Sequence, residues 1–181
     1  MKNILILMAM GSLLTAQAKP LCKEIITNKF GSYLVKRQEF LKHNECILPM
    51  NESITNKETN QTIKLDGIVT GLESIDLNER AILKVNYFAG VHTHVVDFFF
   101  VAKNGDLTPV QGGSIGSDIG DPAIYIDTLS NILVVFSRYT KDVFSKKMMC
   151  RNLYEDIYEY KEDKFTKIID KSLIEKDCQE D

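Results

Sequence analysis

The sequence predicts a mainly β protein built of antiparallel sheets, and three observations carry that expectation. Short runs rich in β-branched and aromatic residues, Ala81 to Tyr87, Val95 to Ala102 and Ile132 to Phe136, are bounded by turn residues, which is how strands read. Lys103 to Asp106 carries Asn104-Gly105 directly after one such run, and both residues take positive φ cheaply, so a hairpin turn is expected there. Tyr154 to Tyr160 alternates apolar or aromatic with charged residues, meets Lys161-Glu162-Asp163-Lys164 and resumes at Phe165 to Ile169, a second hairpin.

From the N-terminus, Met1-Lys2-Asn3 is a short positive region and Ile4 to Leu14 an apolar run of eleven residues. Thr15-Ala16-Gln17-Ala18 then offers small side chains to a signal peptidase, so residues 1–18 read as a secretory signal peptide. The run is too short to span a bilayer, which takes about 20 apolar residues. Lys19-Pro20-Leu21 before Cys22 does not suit a lipid anchor. Residues 19–181 remain as a single β-rich domain, exported to the periplasm or secreted, with no membrane insertion expected.

Cleavage removes one of the 22 basic residues and none of the 25 acidic ones, leaving a mildly acidic chain with both signs interspersed. Nucleic acid, whose phosphates demand a basic patch, is not an expected partner. Cys22, Cys46, Cys150 and Cys178 all survive cleavage, and none form a Cys-x-x-Cys pair. In an oxidising compartment they read as two disulfides. Of the three connectivities, Cys22–Cys46 and Cys150–Cys178 are favoured because each closes a local loop near one terminus.

Leu21 to Leu48 is open to two readings. Ile26, Phe30, Leu34 and Leu41 trace a helical stripe, yet Gly31-Ser32 interrupts it and Ser32 to Phe40 reads equally as extended. Pro49 to Thr62 is polar and is expected as a surface loop; its Asn51-Glu52-Ser53 and Asn60-Gln61-Thr62 triplets match glycosylation acceptors. Phe98-Phe99-Phe100 makes both faces of its strand apolar, so the strand is either central and covered twice or presents a binding patch. A short helical or coil C-terminus is expected.

The middle and end of the chain echo each other. Ser74-Ile75-Asp76 to Val85 can be laid over Tyr125-Ile126-Asp127 to Val135, each an Ile-Asp, a polar turn and a strand, 51 residues apart. Each is followed by an aromatic strand, a charged turn and a last strand. At these residues, about 72 to 170, the chain resembles degenerate FG-GAP or VCBS-like β-blade repeats of exported bacterial proteins. The resemblance implies two blade-like repeats, 72–121 and 122–170, set side by side or stacked, with the N-terminal segment covering an exposed edge. In that family an Asp-x-Asp/Asn-x-Asp-Gly turn often binds calcium. Asp76 and Asn78 fit the first two ligand positions, but Arg80 takes the third and Ala81 replaces the glycine. In the second copy Asp127 fits, Leu129 cannot ligate, and Asn131 is an oxygen donor. Calcium needs six to eight oxygens, so the turns are expected to keep their shape without the metal, and no cofactor is expected.

Other candidates are weaker. Gly112-Gly113-Ser114-Ile115-Gly116 matches the Gly-x-Ser-x-Gly nucleophile elbow, but Ser117 to Pro122 cannot continue as the required helix, so a loop joining the repeats is expected. His92-Thr93-His94 places two imidazoles on one face of an extended segment, half of a zinc site, with Asp97 on the opposite face of an unbroken strand. Asp118, Asp121 and Asp127 could be paired acids but sit among ordinary turn formers. Tyr154, Tyr158 and Tyr160 could supply an interface hot spot. Lys141, Lys146, Lys147 and Arg151 read as a solvated basic loop.

No catalytic residues are assigned. The expected function is a non-enzymatic domain that binds another protein. A periplasmic inhibitor or immunity-type protein against a secreted toxin or hydrolase is the alternative, and a metal-dependent enzyme using His92 and His94 the second.

Overall fold

The computed structural model describes residues 22–180 apart from 44, 48, 50, 78, 91, 92, 146 and 147. The expected signal peptide, residues 1–18, lies outside them, as do His92, Asn78, Lys146 and Lys147. The described chain is all β. None of it is a helix long and apolar enough to cross a membrane.

The ambiguous N-terminal segment is strand. β1 (Glu24–Phe30), β2 (Tyr33–Gln38), β5 (Ser53–Asn56) and β6 (Thr62–Lys64) form an antiparallel sheet in that order. β3 (Phe40–Lys42) and β4 (Glu45–Ile47) pair as a separate hairpin, beside which Cys22 is bonded to Cys46. Gly31-Ser32, which broke the helical stripe, is the β1–β2 turn, and Gly31 holds a φ of 53°. The expectation of a surface loop over Pro49 to Thr62 is corrected by β5, whose Ile54, Thr55 and Asn56 are buried behind a buried Glu52. Hydropathy hides this strand because paired polar groups hold it. Glu52 accepts from Arg37 Nη2 (2.8 Å) and from the Val69 N–H (2.7 Å), and Asn56 donates to the Asn104 carbonyl (3.1 Å). Asn51 and Asn60 of the two triplets stay exposed.

Two four-stranded antiparallel meanders follow. The first is β7 (Ile68–Leu77), β8 (Arg80–Ala89), β9 (Thr93–Val101) and β10 (Leu107–Ser117); the second is β11 (Ala123–Asp127), β12 (Ile132–Ser145), β13 (Met148–Lys161) and β14 (Lys164–Glu180). They join into one eight-stranded sheet, β11-β12-β13-β14-β10-β9-β8-β7, whose single parallel contact is Gln111 opposite Lys164. Two expectations are corrected here. The C-terminus is neither helix nor coil: β14 runs through Glu180, with Cys178 bonded to Cys150 on the neighbouring strand. Gly112 to Gly116 is not a loop but the heart of β10, which leaves β9 after Pro109 and rejoins it at Ser114. Gly112 makes that detour feasible, since its φ is 69° and a Cβ there would lie 2.6 Å from the Phe165 carbonyl oxygen.

The sheet curls around one core and is covered by another. Ile75, Leu77, Ile82, Val96 and Phe98 of the first meander pack with Leu133, Val135, Tyr160 and Phe165 of the second. On the outer face of the first meander, Leu83, Val85, Tyr87 and Phe99 pack against Ile54 and Leu65 of the N-terminal segment. That segment therefore covers a face rather than an edge. Phe98 is 1 % and Phe99 3 % exposed, on opposite sides of β9. Each such ring contributes roughly 1.5–3 kcal/mol by leaving water.

Candidate functional site

The candidates suggested by spacing mostly bind their own neighbours. His94 Nδ1 lies 2.7 Å from Asp121 Oδ1, with its ring edge-on to Phe88, and Thr93 donates to Asp118 (3.1 Å). These bonds tie the β10–β11 loop to β9. Asp127 accepts the N–H groups of Leu129 (3.0 Å) and Ser130 (3.2 Å). Hydrogen bonds from Ser130, side chain and backbone, hold its carboxyl below the ordinary aspartate range. Asp118, Asp121 and Asp127 thus serve three separate contacts. Among the described residues no three His, Cys, Asp or Glu side chains gather as a metal-ligand set. Arg80, at the third calcium position, instead bonds Asp163 of the β13–β14 turn (2.8 Å) and stacks over Phe100.

The tyrosines divide. Tyr160 is core, its hydroxyl donating to Asp163 (3.1 Å), and its pKa is pushed up to about 12 by burial and by that carboxylate. Tyr158 packs on the same core beneath Lys167, while Tyr154 stacks on Tyr139 outside it. Arg151 pairs with Asp142 (3.2 Å). A cleft of about 500 Å³ between the β1–β2 turn and the β9–β10 hairpin is spanned by Tyr33 donating to the Gly105 carbonyl (2.9 Å). Along the same cleft Asn56 donates to the Asn104 carbonyl (3.1 Å) and accepts the Glu58 N–H (2.9 Å).

Two half-buried or buried aspartates, one per meander, sit where strand pairing breaks. Asp97 lies on β9 opposite Ser114, where β10 returns from its detour. The detour leaves a pocket of about 210 Å³, lined by Ile63, Lys64, Leu65, Asp97, Phe99, Pro109 and Gly113 among others. The Ser114 and Tyr87 hydroxyls act on the Asp97 carboxyl, whose Oδ1 is buried without a hydrogen-bond partner. Burial raises its pKa, the two hydroxyls oppose the rise, and Asp66 adds to it. The same burial, with Asp97 as neighbour, pushes Tyr87 up to about 12.

Asp156 on β13 faces a bulge in β14, where Asp170 and Lys171 together oppose one residue. Lys171 has a φ of 56°, and its N–H, spare in the ladder, donates to Asp156 Oδ1 (2.7 Å). Lys167 Nζ donates to Asp156 Oδ2 (2.7 Å) and also to Asp170 (3.2 Å). Burial pushes the Asp156 carboxyl up, but Lys167 and the Lys171 N–H outweigh it and hold the pKa below the ordinary value. Lys167 is raised correspondingly by Asp156.

Beyond these sites the second meander continues as an arm. Among the described residues, β12 from Tyr139, β13 up to Tyr154 and β14 from Ser172 pair only with one another and give no residue to either core. Among the described residues, Lys164 is the β14 residue with a partner on the side away from β13, and the edge from Thr166 onward has none. Ile168, Ile169, Leu173 and Ile174 on this strand are 42 to 52 % exposed.

Spacing missed both aspartates and the arm. The signal for Asp97 was present: it is a single carboxylate inside the otherwise apolar run Val95 to Val101. No protein-family model, no curated protein and no solved structure matches this chain.

Proposed function

We propose that the mature chain is an exported, non-enzymatic protein-binding domain whose contact surface is the arm, where an extended segment of a partner protein adds to the free edge of β14. The carrying observation is the open β14 edge, flanked by exposed isoleucines and a leucine. Backbone N–H and C=O groups on such an edge supply affinity to an added strand, and apolar side chains beside it supply the desolvated contacts. Lys164, Lys167, Lys171 and Lys176 with Asp170, Glu175 and Asp177 give the edge both charge signs, which suits a peptide rather than a polyanion. Two disulfides are compatible with an oxidising compartment. The N-terminal eighteen residues supply the route there, to the periplasm or the outside of the cell. His94 is committed to Asp121, which supports binding over hydrolysis.

The test compares capture from the native secretome by mature protein and by its Leu173→Lys variant. A lysine at this exposed edge opposes strand addition without touching the core. The variant should unfold at the same urea midpoint, lose the captured partner, and show no slowing of β14 amide exchange that the parent shows with partner bound. Equal capture by both proteins, or a partner that leaves β14 exchange unchanged, would sink the proposal.

A further inference from the structure

We infer that a second copy of this chain occupies the free β14 edge, its own β14 running antiparallel to the first about a twofold axis at Leu173. The inference rests on the reading that this edge takes an added strand, and it names that strand.

The ladder locates the axis. At its root the edge is closed where Gln111 of β10 meets Lys164, which faces Lys161 of β13. At its tip the arm turns back through the β12–β13 hairpin, Ser145 against Met148, and Met148 faces Glu180. Among the described residues β14 is open between these limits, along the β13 positions Met148 to Tyr160. Tyr154, whose β14 partner is Leu173, lies six residues from each end of that stretch. A twofold axis at Leu173 therefore sets the tip of each arm against the root of the other, uses the whole open edge and stops short of β10. A centre nearer the tip shortens the overlap, and one nearer the root drives the copy into β10. Such an isologous contact sets the residue at its axis against itself, and here that residue is the exposed Leu173.

The charges point to the same centre. Outward from Leu173 the chain carries Lys171 on one side and Glu175 on the other, then Asp170 and Lys176. Each pair is opposite in sign, so a reversed copy brings opposite charges together on both sides of the axis. The bulges preserve this match. Lys176 faces Asn152, while Asp170 and Lys171 together face Asp156, each two β13 positions from Tyr154. All four charged side chains are exposed and within reach of a copy. A parallel copy in register would instead set Lys171 on Lys171 and Glu175 on Glu175, which opposes pairing. Lysine on an edge strand ordinarily discourages strand addition. Here Lys171 and Lys176 each have an acid to meet on the second copy, and the added strand satisfies the open row of backbone groups.

The test is sedimentation equilibrium of the mature protein, disulfides formed, over a concentration series, with amide exchange followed at the same concentrations. A monomer–dimer equilibrium is expected, with exchange at residues 166–178 slowing as concentration rises and exchange at Val96 and Phe98 unchanged. Leu173→Lys should weaken the dimer about tenfold or more, because it sets two ammonium groups against each other at the axis. Lys171→Glu and Glu175→Lys should each weaken it as well. The double swap in one chain should restore it, since opposite charges then meet again, a rescue that a parallel dimer would not show. Urea midpoints check that the variants fold, and the exchange series on the parent protein stands even if one does not. A protein that stays monomeric, a dimer whose β14 exchange ignores concentration, or a double swap no tighter than its single variants overturns the inference. A monomer that captures a different secretome protein, with β14 exchange slowed, removes the second copy and keeps the arm reading. Loss of both self-association and capture removes both.

Discussion

The two meanders share a topology and differ in cover. Each has four antiparallel strands, and each gives one apolar face to the same core. The first also buries its outer face beneath the N-terminal strands, so β9 places Val96 and Phe98 in one core and Val95 and Phe99 in the other. Among the described residues the second has no such cover, and its last three strands run on beyond the core as the arm. The lesson is that a layer of short strands decides whether a sheet spends its surface on stability or keeps it for contact. Phe98 and Leu173 are both large and apolar, yet only the first is held on all sides.

That contrast is easiest to break with paired truncations. Phe98→Ala should lower unfolding free energy by about 3–5 kcal/mol, because a ring 1 % exposed leaves a cavity that its neighbours cannot fill. Leu173→Ala, at a site 52 % exposed, should change it by no more than about 0.5 kcal/mol. Urea unfolding of both variants reads the difference, and similar losses would mean that the arm is part of the cooperative core. Next in size is joint replacement of Cys150 and Cys178 by alanine. Loop entropy sets a ceiling of roughly 3–4 kcal/mol for a bridge of this span, reached only if arm and core unfold together. The expected result is a smaller global loss, with amide exchange accelerated at residues 151–153 and 173–177 and unchanged at Val96 and Phe98.

How much of this was legible in the sequence follows the same division. The all-β class was readable because Ala81 to Tyr87, Val95 to Ala102 and Ile132 to Phe136 carry β-branched and aromatic residues between turn residues, and the hairpins because Asn104-Gly105 is a turn pair and Tyr154 to Tyr160 alternates up to a charged turn; Gly105, Glu162 and Asp163, though not Asn104, hold positive φ there. β5 was illegible because its burial depends on Glu52 meeting Arg37 and on Asn56 meeting Asn104, partners 15 and 48 residues away. β10 read as a loop because its glycines, which weaken a strand locally, are needed where it crosses from β9 to β14. The end of β14 read as helix or coil because its ladder carries three register shifts that scramble the alternation. Asp97 was placed on the far face from His94, but no spacing rule connects it to Ser114 or Tyr87, which reach it from neighbouring strands.

The two aspartates carry the comparison into pH. Asp156 has a folded pKa below the ordinary 3.8, so its contribution is present above that value and is lost as pH falls through the folded pKa. Asp97 has a folded pKa above 3.8, so the fold takes up a proton there before the unfolded chain does. Its contribution therefore grows as pH falls through the folded value and levels off below 3.8. Asp97→Asn should raise stability at pH 7 and remove the gain on mild acidification. Asp156→Asn should lower stability at pH 7 by about 1–3 kcal/mol, the range for hydrogen bonds to a charged group. Urea midpoints between pH 3 and 7 for the parent and both variants test the opposite signs, and parallel pH curves for the two variants would refute them.

The smallest expected effect concerns the seam between the meanders. Arg80 reaches Asp163 from across the sheet, but the two side chains are 52 % and 47 % exposed, so water and salt screen the pair. Its measured coupling should be below about 1 kcal/mol in a double-mutant cycle of Arg80→Ala and Asp163→Ala. Part of any single-mutant loss should come instead from the guanidinium lying over Phe100, worth about 0.5–1 kcal/mol at such a site. Arg80→Lys separates the two contributions, because it keeps a charge for Asp163 while giving up the flat stacking group. A coupling near zero would leave Phe98, Phe165 and their neighbours to hold the meanders together, which is what the apolar seam implies. A coupling of several kcal/mol would instead make the polar rim a second clasp, and the difference between the covered and uncovered meanders would then matter less than the turn that joins them.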